Sequence, residues 1–311
     1  MPKIVKNPEL ETNIRFFDHR LLSSDCGDDL KTLAQWYENG DLIVLTHYRF
    51  GSGVDIFNRL LFPNEKRAKK LMLHKGEEQH GTVERKKDWA VAKELLTKSD
   101  VTIEQFEAAV CEANQELISL VEKLFPLYPY KTRLCIYNIS EMLCHNMHFD
   151  SPQHAGDMTQ LRAFVNLDQF PRIWRLGRRL EEVAGEHYRN AGLRHTIGDH
   201  PREFTRATTQ TAFGNRYNSG NHSEPMHSIA FQPGEVWFLN PNMTAHEVVY
   251  GRRLLDAVFM FEKDGLLDKK RFYPNVMREI HSDALGDTRL TWIEKAQAIK
   301  KSIRRFRFRR D

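Results

Sequence analysis

The chain has 311 residues, of which 41% are hydrophobic and 28% charged, an ordinary balance for a folded soluble protein. No run approaches the ~18 consecutive apolar residues that cross a bilayer, and the start, Met1-Pro2-Lys3-Ile4-Val5-Lys6, lacks the apolar core of a secretory signal. The net charge of +4 is small but uneven: seven Lys or Arg and no acid lie between Lys300 and Arg310, which points to an anionic partner, lipid or nucleic acid.

Cys26, Cys111, Cys135 and Cys144 show no paired spacing, so four free thiols in a reducing cytoplasm are expected. Residues 1–24 have no clear period. Asp28 to Asn39 reads as a short helix stopped by Gly40, and Asp41 to Tyr48 as a strand. From Pro63 to Lys87 the chain is polar and basic, a solvated stretch or part of an anion-binding rim. Thr102 to Phe125 is the strongest helix, because Ile103, Phe106, Val110, Ala113, Leu117, Leu120, Val121 and Leu124 make one apolar stripe. Such a helix is expected to buttress a sheet.

From Thr132 the period becomes two. Strands are predicted at 132–138, 145–149, 161–167, 172–176, 227–231, 235–239, 246–250 and 253–261, with a polar, helical insert at about 178–215. Short strands in this number suggest a mainly β core, a double-stranded β-helix or jelly roll, with flanking α-helices. The expected organisation is an N-terminal α/β region over 1–130, the catalytic core over 131–263, and a helical, basic segment over 264–311. In that last segment Trp292, Ile293, Ala296, Ile299, Ile303 and Phe306 form an apolar stripe among Lys and Arg, the pattern of a membrane-surface helix or of a helix packed on its own barrel with a solvated basic face.

The chemistry concentrates in His145-Asn146-Met147-His148-Phe149-Asp150. His148 and Asp150 share one side of an extended strand. With His246 downstream they make two imidazoles and a carboxylate, the facial set that binds Fe(II) and leaves open positions. H-x-D alone is weak, and His281-Ser282-Asp283 and His222-Ser223-Glu224 are rival matches. Only His148, Asp150 and His246 enclose a full set of strands between the first and last ligand. His145 and His154 flank the triad and are candidates for a pocket rim.

The stretch Tyr250-Gly251-Arg252-Arg253 followed by Leu254 to Phe261 resembles the end of the 2-oxoglutarate/Fe(II) dioxygenase superfamily. There an Arg at the start of the last strand binds the far carboxylate of 2-oxoglutarate, a task suited to a planar guanidinium. The resemblance puts Arg253 in that role. If the face bearing Leu255, Ala257 and Phe259 is the barrel interior, Arg253 points inward and Arg252 outward.

Leu161-Arg162-Ala163-Phe164-Val165-Asn166, a turn, and Pro171-Arg172-Ile173-Trp174-Arg175-Leu176-Gly177 resemble the Kdo 3-hydroxylases, as does Val121-Glu122-Lys123-Leu124-Phe125-Pro126. That family hydroxylates 3-deoxy-D-manno-oct-2-ulosonic acid (Kdo) of lipid A with Fe(II), O2 and 2-oxoglutarate. The resemblance implies a Kdo-bearing lipid A substrate and a peripheral position on the inner face of the inner membrane, docked on anionic lipid through the basic C-terminal helix. Arg162 and Asn166 are candidates for cosubstrate contact. Arg172, Trp174, Arg175, His145 and His154 are candidates for substrate contact, although alternation lets only one of Arg172 and Arg175 reach a pocket. Two other readings stand beside this one. The first is a 2-oxoglutarate hydroxylase acting on a protein side chain, nucleic acid or small metabolite. The second is a non-enzymatic jelly-roll module that binds membrane or nucleic acid.

Overall fold

In the computed structural model, which describes residues 1–23, 27–61, 69–73, 86–139, 145–152, 156–214 and 222–307, twelve strands fall into two sheets. The N-terminal part supplies β1 (Lys3–Val5), β2 (Ile14–Asp18), β3 (Leu42–Thr46) and β4 (Lys69–Met72). Then come β5 (Thr132–Ile139), β6 (His145–His148), β7 (Met158–Asn166), β8 (Arg172–Arg179), β9 (His227–Phe231), β10 (Val236–Phe238), β11 (Thr244–Tyr250) and β12 (Arg253–Glu262). The helices are α1 (Gly27–Glu38), α2 (Val54–Arg59), α3 (Lys86–Leu96), α4 (Ile103–Leu124), α5 (Leu180–His187), α6 (Pro201–Phe213), α7 (Tyr273–Leu285) and α8 (Asp287–Arg307). Among the described residues no helix is long and apolar enough to cross a membrane.

The larger sheet runs β2-β3-β10-β7-β12-β5-β4 and the smaller β1-β9-β8-β11-β6. Their facing sides share one core, built from Phe164, Trp237 and Leu254 of the larger sheet and Trp174, Leu176, Phe231 and Val248 of the smaller. The other face of the larger sheet is covered by helices. Leu161, Ala163, Val165, Leu255, Ala257 and Phe259 pack there against α1, α3 and α4. The predicted stripe of α4 does this work, and Thr102 opens the helix with a capping box closed by Gln105. The outer face of the smaller sheet, with Met147 and Ala245, packs on α5, α6 and α7. The result is four layers, helix, sheet, sheet and helix, a mixed arrangement with a β-rich centre.

The N-terminal region is woven into both sheets: β1 pairs with β9, β3 with β10 and β4 with β5. The aperiodic residues 1–24 hold β1 and β2, and part of the basic stretch 63–87 holds β4. Three- to five-residue edge strands are too short to show a period. His154, Cys26 and Cys144 lie outside the described residues, as do most of 63–85 and Phe308 to Asp311.

Candidate metal centre

Two strands and one loop bring the ligands together. His148 ends β6, His246 lies on β11, and the two are directly paired across the small sheet. Asp150 follows β6, and the loop before β11 pins it: its N–H donates to Pro241 O at 2.8 Å and its carbonyl accepts from Asn242 Nδ2 at 2.7 Å. The ligand atoms of His148, Asp150 and His246 all lie within 4.8 Å of one another.

The imidazoles are poised as ligands. His148 Nδ1 is 2.6 Å from Asn146 O, and His246 Nδ1 faces Thr244 O at 3.4 Å. A carbonyl only accepts, so Nδ1 carries a proton and Nε2 is the nitrogen left to bind a metal. His148 Nε2 stands 3.4 Å from Asp150 Oδ1, and the other Asp150 oxygen faces Arg162 Nη1 at 3.4 Å. Burial pushes the Asp150 carboxyl up, but the hydrogen bond with His148 and the charges of Arg162 and His246 outweigh it and hold it well below the usual carboxylate range. The carboxylate is therefore ionised when a cation arrives. Both imidazoles are buried, whereas the Asp150 side chain is 24% exposed, so the centre opens to solvent on the Asp150 side. Two imidazoles that turn Nε2 inward and one carboxylate with an open side fit a divalent first-row metal.

Behind the ligands the inter-sheet space is strongly polar for a core. Arg162 pairs with Asp256, its Nε donating to Oδ1 at 2.9 Å, and both residues are buried. Burial works against the charge of Arg162, but Asp256 and Asp150 raise its pKa. Trp174 stacks on the His246 ring, with centroids 5.3 Å apart, and Arg172 lies over Trp174 at 6.0 Å. Arg172 is 1% exposed, and among the described residues its Nε and Nη1 have no acceptor. Burial pulls its guanidinium down to about 10, against the pull of Asp256 and Asp168. The indole N–H groups of Trp174 and Trp237, packed together in the same core, also lack acceptors among the described residues.

Several sequence expectations need correction. Arg253 does not face the metal. It lies on the helix side of β12 with Leu255, Ala257 and Phe259, and donates to Phe57 O at 2.7 Å and Leu60 O at 2.9 Å. The inter-sheet side of β12 is the other one, carrying Leu254, Asp256 and Val258. Arg252 makes a two-pronged bond to Asp168, with both distances at 2.9 Å. Trp174 is 2% exposed between Phe164, Phe231 and Trp237, so it presents no open face to a sugar. Arg175 turns to the outer side and pairs with Glu247 at 3.2 Å. Asn166 commits its amide to the backbone, donating to Phe170 O and Phe231 O and accepting from Asp168 N. His145 also departs from simple alternation. An irregularity in the β6–β11 register between His246 and Val248 brings the His145 ring 5.9 Å from that of His148.

The rival motifs have other partners. His281 bonds Tyr188 through Nδ1 at 2.7 Å, and His222 lies 3.7 Å from Glu247. Glu186, His187 and Glu224 form a second cluster, but Arg178 already bonds both glutamates at 2.6 Å. Sequence reasoning missed Asp256, Asn242 and Trp237. Asp256 carried a usable signal, being the lone acid in the apolar run Leu254 to Phe261.

No family model and no characterised protein matches the sequence. The match is to solved structures. The chain shares its fold with non-heme Fe(II) α-ketoglutarate-dependent dioxygenase structures. These are structures of the Kdo hydroxylase KdoO: in complex with cobalt(II) (TM-score 0.57, 14% identity, 87% of this chain and 96% of that one), with α-ketoglutarate and Fe(III) (TM-score 0.55, 13% identity, 87% and 96%), and in the apo state (TM-score 0.56, 13% identity, 90% and 98%).

Proposed function

We propose that the chain is an Fe(II)- and 2-oxoglutarate-dependent hydroxylase, with a double-stranded β-helix core. The observation that carries the proposal is the His148-Asp150-His246 centre with the acceptor-less Arg172 behind it. Fe(II) held by these three residues would supply the oxidising chemistry, with O2 and 2-oxoglutarate consumed.

The other steps belong to side chains of this chain. His148 and His246 offer Nε2, and Asp150 offers Oδ1. Arg172, with the indole N–H groups of Trp174 and Trp237, forms a set of buried donors without acceptors among the described residues. Leaving such groups unmatched is costly, and a carboxylate satisfies them. Charge points the same way. Asp150 and Asp256 cancel Arg162 and Arg172, so a divalent metal needs a dianion to keep this core neutral, and 2-oxoglutarate is one. The far carboxylate is therefore assigned to Arg172 in place of Arg253.

The substrate we propose is Kdo of lipid A, hydroxylated at position 3. The shared fold and the Leu161–Gly177 motif support this. His145, beside the metal ligands, is the flanking residue best placed to meet substrate. A peripheral site on the cytoplasmic face of the inner membrane goes with that substrate. It is supported by α8, where Trp292 and Ile299 are 75% and 62% exposed within a basic sequence.

The test is mass spectrometry of Kdo-bearing lipid A incubated with protein, Fe(II), 2-oxoglutarate and O2. A gain of one oxygen with equimolar succinate is expected, and His148→Ala, Asp150→Ala and His246→Ala should each abolish it. Succinate release that depends on another substrate class and not on Kdo would keep the hydroxylase and overturn the substrate. Absence of a tight divalent-metal site would overturn both.

A further inference from the structure

Asp150 is held from two sides. His148 approaches Oδ1, and the Arg162 guanidinium approaches Oδ2. A cation beside a metal-binding carboxylate has two opposed effects. It fixes the carboxylate's orientation, leaving one oxygen for the metal. It also competes with the metal for that carboxylate's charge. Asp256 bears on the second effect: it engages Arg162 through both oxygens, Nε to Oδ1 at 2.9 Å and Nη2 to Oδ2. Asp256 and Arg162 are 3% and 4% exposed, so water screens neither. β12 sets Asp256 opposite Phe164, and Arg162 opposite Val258, on neighbouring strands of the large sheet. The two side chains thus span one rung on the inter-sheet side.

We infer that Asp256 is a positioning residue for the metal centre, acting through Arg162 on Asp150. It neutralises Arg162 and aims Nη1 at the outer oxygen of Asp150. The carboxylate then keeps its full charge and presents Oδ1 alone. This rests on the metal-centre reading above. A buried ion pair with a purely structural role would also be placed in a core, so stability alone cannot decide the matter.

Cobalt(II) titration of the full chain, followed by visible absorption, tests the inference in the absence of any turnover. Asp256→Asn keeps the size and removes the charge, so Arg162 turns its full charge on Asp150. Loss of a residue behind a metal ligand typically costs about 10–100-fold in metal affinity, and that is the expected loss here, with a changed cobalt spectrum. The double variant Arg162→Gln/Asp256→Asn removes both charges and is the safer fold. It should bind cobalt better than Asp256→Asn and less tightly than wild type, because the orienting donor is gone. Apo melting curves identify which variants fold. Wild-type affinity and spectrum in either folded variant overturn the inference and leave a structural ion pair. Failure of the wild-type chain to bind cobalt would instead overturn the metal-centre reading itself.

Discussion

Gly251 faces Arg172: a Cβ at position 251 would stand 2.8 Å from both Cγ and Cζ of the arginine. The backbone of Gly251 is not in the left-handed region, so this glycine serves space and not conformation. Gly251→Ala should therefore displace the guanidinium without straining the turn. The dissociation constant for 2-oxoglutarate is expected to rise at least tenfold, with cobalt affinity unchanged. Calorimetric titration of the cobalt-loaded protein measures both. Unchanged 2-oxoglutarate affinity would mean that Arg172 moves freely or takes no part.

Arg172 and Arg253 should give opposite phenotypes. Arg172→Gln removes one partner of a buried charge pair, a loss of about 3–5 kcal/mol. At about 1.4 kcal/mol per tenfold, 2-oxoglutarate affinity falls by roughly two to three and a half orders of magnitude while metal is retained. Arg253→Ala leaves the carbonyls of Phe57 and Leu60 without their donor, which costs about 1–3 kcal/mol for each buried acceptor. The expected result is a lower melting temperature and near-normal 2-oxoglutarate affinity. The reverse pattern would restore Arg253 as the anchor.

His281 ties stability to pH. Burial lowers its pKa from 6.5 to about 4. The unfolded chain therefore takes up a proton below about 6.5 that the folded chain refuses until about 4. The stability contributed by the neutral ring is complete above the upper value and is lost as pH falls through this window. His281→Asn keeps an acceptor for Tyr188 and removes the titration. Melting curves from pH 7 to 4.5 should fall less steeply for the variant than for wild type, and identical slopes would remove His281 as the cause.

Helix α8 should matter only at a surface. Deleting residues 300–311 is expected to leave cobalt and 2-oxoglutarate binding intact and to weaken co-sedimentation with anionic vesicles. Each Lys or Arg near such a surface contributes roughly 1 kcal/mol. Binding by the full chain should also fall as salt rises. Equal binding by both proteins at low salt would leave α8 a cap on α7 and move any membrane contact elsewhere.

The sequence by itself determined the type of most core elements and the chemistry of the ligands. The apolar stripe of α4, the alternation after Thr132 and the His148-Phe149-Asp150 spacing are local patterns, and local patterns survive folding when they agree with burial. It did not determine which face of β12 meets the small sheet. Arg253 to Phe261 is buried on both sides, against helices on one and the facing sheet on the other, so its apolar residues carry no sign of direction. Only the packed layers decide that Arg253 goes to the helices while Asp256 goes to Arg162 and the metal ligands. The same holds for His145, which an irregular strand register swings beside His148, and for Arg172, whose lack of an acceptor is visible only once every neighbour is in place. A side chain's type is written in one residue, but its partners come from strands far apart in the chain, and those are set by tertiary packing.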